Sequence, residues 1–145
     1  MINNDEYFMK VALQEAQLAY DTGEIPVGAV IVANNKIICK AHNEVERLKD
    51  PLAHAEIIAI TAALEYFDTK YLDSCSIYVS LEPCPLCASA MQLTRIRKLI
   101  YSASDPKNGY SMYTPTLLHR KTIVKSGIME AKSIECLKKF FESKR

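Results

Sequence analysis

Two apolar runs on either side of a polar turn constrain this chain most. Val27–Ala33 and Ile37–Ala41 flank Asn34-Asn35-Lys36, the pattern of a β-hairpin. Upstream, Asp5–Tyr20 carries Phe8, Val11, Ala12, Glu15 and Ala19 at helical spacing, and Gly23 follows its end. Downstream, the spacing of Ile57, Ile58, Ile60 and Leu64 predicts a helix starting just after Asp50-Pro51. Ser76–Ser80 reads as a strand, and Pro85 stands where a helix begins, running through Met91 to Arg95. Lys98–Tyr101 is a further strand. Ser102–Leu118 is a loop or short-helix region rich in Asp, Pro, Asn and Gly. Thr122–Lys125 reads as a last strand, and Glu130–Phe141 as a closing helix with Ile134, Leu137, Phe140 and Phe141 on one face. Strands first paired as a hairpin and then separated by helices imply a mixed, roughly five-stranded sheet covered on both faces. The expected fold class is a three-layer α/β/α arrangement. No repeat or linker divides the chain, so residues 1–145 are read as one domain, long enough to bury a core without disulfides.

The N-terminus has neither a basic segment nor an apolar one, and no apolar run approaches the ~20 residues that span a bilayer. A cytoplasmic protein with reduced thiols and no membrane partner is expected. The five cysteines are then more interesting as ligands than as staples, and their odd number argues against a complete disulfide framework. The net charge of +1 conceals an asymmetry. Residues 1–90 carry 6 Lys/Arg against 13 Asp/Glu, and residues 91–145 carry 12 against 4. A basic C-terminal third hints at a polyanionic partner; solvated basic helix faces are the plainer alternative.

Three candidate metal ligands stand in two helix-opening segments: His54 in Pro51-Leu52-Ala53-His54-Ala55-Glu56, and Cys84 with Cys87 in Glu82-Pro83-Cys84-Pro85-Leu86-Cys87. Cysteines three apart in a first helical turn point the same way, and the helix N-terminus favours thiolates. Together with His54 they suit Zn²⁺. Three protein ligands are the arrangement of a catalytic zinc, whose fourth position is left to water of lowered pKa. Glu56, two residues beyond His54, is the candidate proton carrier: it would take a proton from water and return it to the departing amine. Hydroxide addition at an sp² carbon bearing an amine, with loss of ammonia, is hydrolytic deamination. The alternative is a structural zinc whose fourth ligand comes from Cys39, Cys75, Cys136, His42, His119 or Glu56.

The segments His54-Ala55-Glu56 and Pro83-Cys84-Pro85-Leu86-Cys87 resemble the signature of the cytidine/deoxycytidylate deaminase superfamily. Within it the chain is most similar to the bacterial tRNA-specific adenosine deaminase family. Ile25-Pro26-Val27-Gly28-Ala29-Val30, Asn43, Asp50-Pro51, Leu81-Glu82, Arg95-Ile96, Asp105 with Lys107, Gly109, Gly127-Ile128 and Phe140-Phe141 all fall in the family's order. The resemblance implies a cytidine-deaminase-like fold, one zinc per subunit on His54, Cys84 and Cys87, and Glu56 as proton shuttle. It also implies a homodimer and conversion of a wobble adenosine to inosine in a tRNA anticodon loop. Asn43 and Asp105 match substrate contacts, with Val27 and Ala55 beside them; read without the family, Asn43 is a turn residue and Asp105 a loop-starting Asp before proline. Ser104 replaces the family's usual arginine, and the loop after Gly109 is several residues shorter. Tyr110, Tyr113, Phe140 and Phe141 are candidate base-stacking residues, and Arg95, Arg97, Lys98, Lys107, Arg120, Lys121 and Lys125 candidate phosphate contacts. A deaminase of a free base or nucleoside, or a non-catalytic zinc-stabilised RNA-binding domain, are the alternatives.

Overall fold

A computed structural model of the chain describes residues 4–113 and 115–144. Its elements are α1 (Asp5–Asp21), β1 (Gly28–Ala33), β2 (Lys36–His42), α2 (Val45–Leu48), α3 (Ala55–Phe67), β3 (Ser76–Leu81), α4 (Pro85–Thr94), β4 (Lys98–Ala103), a single 3₁₀ turn (Tyr110–Met112), β5 (Ile123–Ser126) and α5 (Glu130–Ser143). The hairpin closes through Asn34 and Asn35, both left-handed at φ 50° and 61°. Right-twisted strands favour that turn, and asparagine tolerates it.

The five strands form one sheet in the order β2-β1-β3-β4-β5. β1 is antiparallel to β2 and β3, whereas β3, β4 and β5 run parallel. The expected mixed sheet and its layers are both present. Because successive strand residues face opposite ways, β1 sends Ala29 and Ile31 to one core and Val30 and Val32 to the other. The first core lies under α3 and α4, where Ala55, Ala59, Ala88 and Met91 meet Ile77, Val79 and Leu99. The second lies under α1, where Phe8, Met9 and Ala12 meet Tyr78 and Ile100. Gly28 is required here: a Cβ would strike the Ala12 carbonyl oxygen and the Ala16 nitrogen of α1.

Three expectations change in the structure. α3 begins at Ala55, because Asp50 spends its carboxylate on the Leu52 N–H (2.9 Å) and its carbonyl on the Ala53 N–H (3.1 Å). That turn leaves His54 extended as the cap. On α5 the inward residues are Ser133 and Phe140, with Cys136 and Leu137 half-buried between them, so Leu137 and Phe140 keep to the expected face while Ile134 and Phe141 are 51 % and 50 % exposed. The buried stripe overlaps the expected face only in part. The 4-residue α2 was unforeseen because none of its residues is buried, so no apolar period marks it. No helix among the described residues is long and apolar enough to cross a membrane.

This topology positions the site. α3 and α4 both begin at the end of the sheet where β3 finishes, and both point their N-termini into one cavity.

Candidate metal centre and catalytic pocket

His54 caps α3 and Cys84 caps α4; Pro85 and Cys87 follow in the first turn. The His54 Nδ1 atom lies 3.5 Å from the Cys84 Sγ and 3.4 Å from the Cys87 Sγ. All three ligand atoms fall within 4.8 Å of one another. Among the described residues no fourth His, Cys, Asp or Glu atom joins this group. Cys39 instead donates to the Ala59 carbonyl at 3.2 Å, and Cys75 is buried in the core.

The donor set has the chemistry zinc needs. A hydrogen bond with Cys87, reinforced by His54 against the opposing effect of burial, pulls the Cys84 thiol down to about 4. The Cys84 sulfur in turn holds the His54 imidazole above its ordinary value, against burial. The hydrogen bond to Cys84, with burial and the Glu56 carboxylate, pushes Cys87 upward. Two sulfurs and one imidazole at helix N-termini, close enough to share a tetrahedral ion, fit Zn²⁺ through three protein ligands.

Glu56 sits beside this triad, 4 % exposed, with its side chain hydrogen-bonded to Cys87. Burial, joined by the negative charge of Cys84 and opposed by His54, raises its carboxyl to about 7. That value suits a group which must both take and give a proton near neutral pH.

The cavity around these groups has a volume of about 900 Å³. His54, Glu56, Cys84, Val27, Asn43 and Asp105 all line it. Cys87 is fully buried behind the lining, and Ala55 is also enclosed. The Ala55 N–H donates to the Asn43 Oδ1 at 2.8 Å, while the Asn43 Nδ2 donates to the Ile25 carbonyl at 3.1 Å. Asn43 thus ties the start of α3 to the segment ahead of β1, and its amide nitrogen keeps a second hydrogen. Asp105 folds its own loop, accepting the Lys107 and Asn108 N–H groups at 3.1 Å each. Of the four aromatic candidates, Tyr110 and Phe140 are buried, whereas Tyr113 and Phe141 are half-exposed at the cavity rim.

Two buried carboxylates, Glu24 and Glu82, line the cavity and brace its walls. Glu82 accepts the Asp105 N–H at 3.0 Å, the Ser111 N–H at 3.0 Å and the Ser111 hydroxyl at 2.7 Å. Glu24 accepts the Glu46 and Arg47 N–H groups at 3.0 and 2.9 Å, capping α2. Backbone donors satisfy both charges, as burial demands. Glu82 was noted only as part of a motif and Glu24 not at all; the available signal was an acidic residue abutting an apolar run at each place.

Fold and triad together define a zinc-binding deaminase. The family described as the cytidine and deoxycytidylate deaminase zinc-binding region matches residues 2–103. A tRNA-specific adenosine deaminase of Aquifex aeolicus is 50 % identical over 97 % of this chain and 95 % of its own length. The chain therefore belongs to the cytidine and deoxycytidylate deaminase family, in the branch that holds the tRNA-specific adenosine deaminases, and is a hydrolytic deaminase. A solved structure from studies of A-to-I editing by tRNA:A34 deaminases superposes with a TM-score of 0.85 at 40 % identity, covering 90 % of this chain and 99 % of that one. A guanine deaminase of Bacillus subtilis superposes with a TM-score of 0.67 at 39 % identity, over 71 % of this chain and 66 % of that one.

Proposed function

We propose that residues 1–145 form one domain that converts adenosine to inosine at the wobble position of a tRNA anticodon loop. The observation that carries this is the meeting of one imidazole and two sulfurs within 4.8 Å, beside a buried carboxyl, on the floor of a cavity wide enough for a nucleoside. The 50 % identity to a tRNA-specific adenosine deaminase supports the choice of substrate. An anticodon-loop base is already unpaired, so drawing it into the cavity costs less than extrusion from a duplex.

Each residue has a role in this reading. His54, Cys84 and Cys87 would hold zinc, which would supply a water of lowered pKa near neutral pH. Glu56 accepts a proton from the attacking water and delivers it to the ring nitrogen next to the reacting C6 carbon; it then takes the proton of the new C6 hydroxyl and passes it to the amine, which leaves as ammonia while the carbonyl forms. Asn43 presents its free amide hydrogen to the nucleoside while fixing the start of α3. Val27 and the backbone around Ala55 shape the floor beneath the base, and Asp105 holds the loop that walls it. Tyr113 and Phe141 offer faces on which neighbouring loop bases stack.

The same reading includes a cytoplasmic location and a homodimer. Leu86 and Leu93, 41 % and 74 % exposed two turns apart on α4, support self-association; sedimentation of the purified protein at the monomer mass would remove it. The guanine deaminase likeness sustains a second reading, deamination of a free purine base. Incubating the zinc-loaded protein with an unmodified tRNA transcript, and separately with guanine and adenosine, decides between them. Inosine at the first anticodon position is the expected product. Ammonia from guanine with intact tRNA would overturn the proposal.

A further inference from the structure

A second cleft, of about 540 Å³, lies at the other end of the sheet. It is lined by Arg95, Arg97, His119, Arg120 and Lys121, with Asp73 as its one carboxylate. Arg95 ends α4 and Arg97 precedes β4, whereas the zinc ligands begin α4 and follow β3. The six residues of β3 separate the two sites by about 20 Å.

The cleft is built, not a chance of mobile side chains. The Arg97 N–H donates to the Cys75 carbonyl at 3.0 Å, and the Arg97 carbonyl accepts the Ile123 N–H at 2.9 Å. The Thr122 hydroxyl donates to the Ile96 carbonyl at 2.7 Å, and the Lys121 N–H to the His119 Nδ1 at 3.2 Å. The Thr122 and Ile123 bonds stitch the two walls together, while the Arg97–Cys75 and Lys121–His119 bonds brace each wall separately. The Arg95 guanidinium lies 4.1 Å from the centre of the Tyr71 ring. Arg47, Lys125 and Lys139 each sit in an ion pair; among the described residues, none of the four cleft cations does. Lys98 and Lys125 gather instead around Asp5.

We propose that this cleft binds the phosphodiester backbone of RNA, as a second contact remote from the deamination pocket. The inference rests on the reading of the substrate as a structured tRNA. A single small phosphate is typically seized by converging backbone amides at a helix N-terminus. Here α4 presents its C-terminus, which offers no free amides to converge on one anion. Exposed guanidinium and ammonium groups on two walls suit a chain of phosphates, each neutralised by charge and read without regard to base.

The test pairs R97E with R120E in zinc-loaded protein and measures tRNA binding by filter retention beside deamination kinetics. Zinc content and thermal midpoint confirm that the variant is folded, and K36E/K40E supplies a control away from the cleft. For tRNA, binding and KM should weaken roughly tenfold or more, with kcat unchanged. The slope of log K against log salt should flatten by about 1.5, as the loss of two phosphate contacts requires. Unchanged tRNA affinity and salt slope would overturn the proposal, as would equal weakening by the control. If inorganic phosphate alone competes at the cleft while tRNA binding is intact, the ligand is a small anion and the proposal falls. Binding is read separately from turnover. Wild-type protein that retains tRNA through the cleft without deaminating it would defeat the substrate reading and leave the cleft standing.

Discussion

The two ends of the sheet solve different problems with the same scaffold. At the end where α3 and α4 begin, the chemistry is enclosed: Glu56 is 4 % exposed and Cys87 fully buried, and each polar group is aimed by a helix start. At the opposite end the groups are exposed cations, held in place mainly through their backbones, with Arg95 also lying over the Tyr71 ring. Enclosure sets protonation and geometry to within fractions of an ångström, which a reaction needs. Exposure leaves charge hydrated and screened by salt, which suits reversible capture of a polyanion. The contrast teaches that substitutions at one end should alter turnover and at the other end capture.

The strongest way to break that contrast is Cys84→Ala. It should strip zinc from the protein and take deamination to background, as metal analysis beside an ammonia assay will reveal; retention of both would remove the triad from the chemistry. Glu56→Gln is the sharper cut. Zinc content should persist while kcat falls about 10²- to 10⁴-fold, the usual worth of a positioned proton carrier. Full turnover by this variant would defeat the assigned role.

Glu82→Gln probes the wall of the enclosed pocket. Replacing a carboxylate that serves three donors should cost about 1–3 kcal/mol of stability in a urea titration, and KM should rise more than kcat falls as the 105–111 loop loosens. An unchanged KM would show that this loop does not shape the pocket. Asp5→Asn carries the smallest effect, below about 1 kcal/mol. Burial works against the Asp5 charge, but the Tyr78 hydroxyl and the Lys125 ammonium hold its carboxyl below the ordinary 3.8. A carboxyl lowered on folding contributes stability that is complete above that pH and lost as pH falls through the lowered value. The variant should therefore unfold with a shallower acid dependence below pH 3.8, and an identical acid limb would refute the pairing.

The enclosed end was far more legible in the sequence than the open one. His54, Glu56, Cys84 and Cys87 are read from local spacing, because a cap and a first turn fix where such side chains point. The hairpin and α1 were legible for the same reason: their patterns complete themselves within a few residues. The basic cleft was not, since Arg97 meets the 119–122 segment only through the pairing of β4 with β5. Sequence reading therefore pooled Lys98, Lys107 and Lys125 with the cleft cations, although Lys125 pairs with Asp5 and Lys107 lies on the Asp105 loop. The bracing roles of Glu24 and Glu82 were not legible because their partners lie 22 to 29 positions away. Ile134 and Phe141 misled because α5 turns a serine inward: the Ser133 hydroxyl donates to the Ser80 carbonyl.

The meeting of His54 with Cys84, 30 positions apart, also bears on how the chain ripens. An ion gripped there acts as a removable cross-link, closing a loop of that length much as a disulfide would in an oxidising compartment. Metal supply would then bear on how much of the chain is folded. Chains that acquire the ion would gain its binding free energy as folding stability, and chains without it would fold with less.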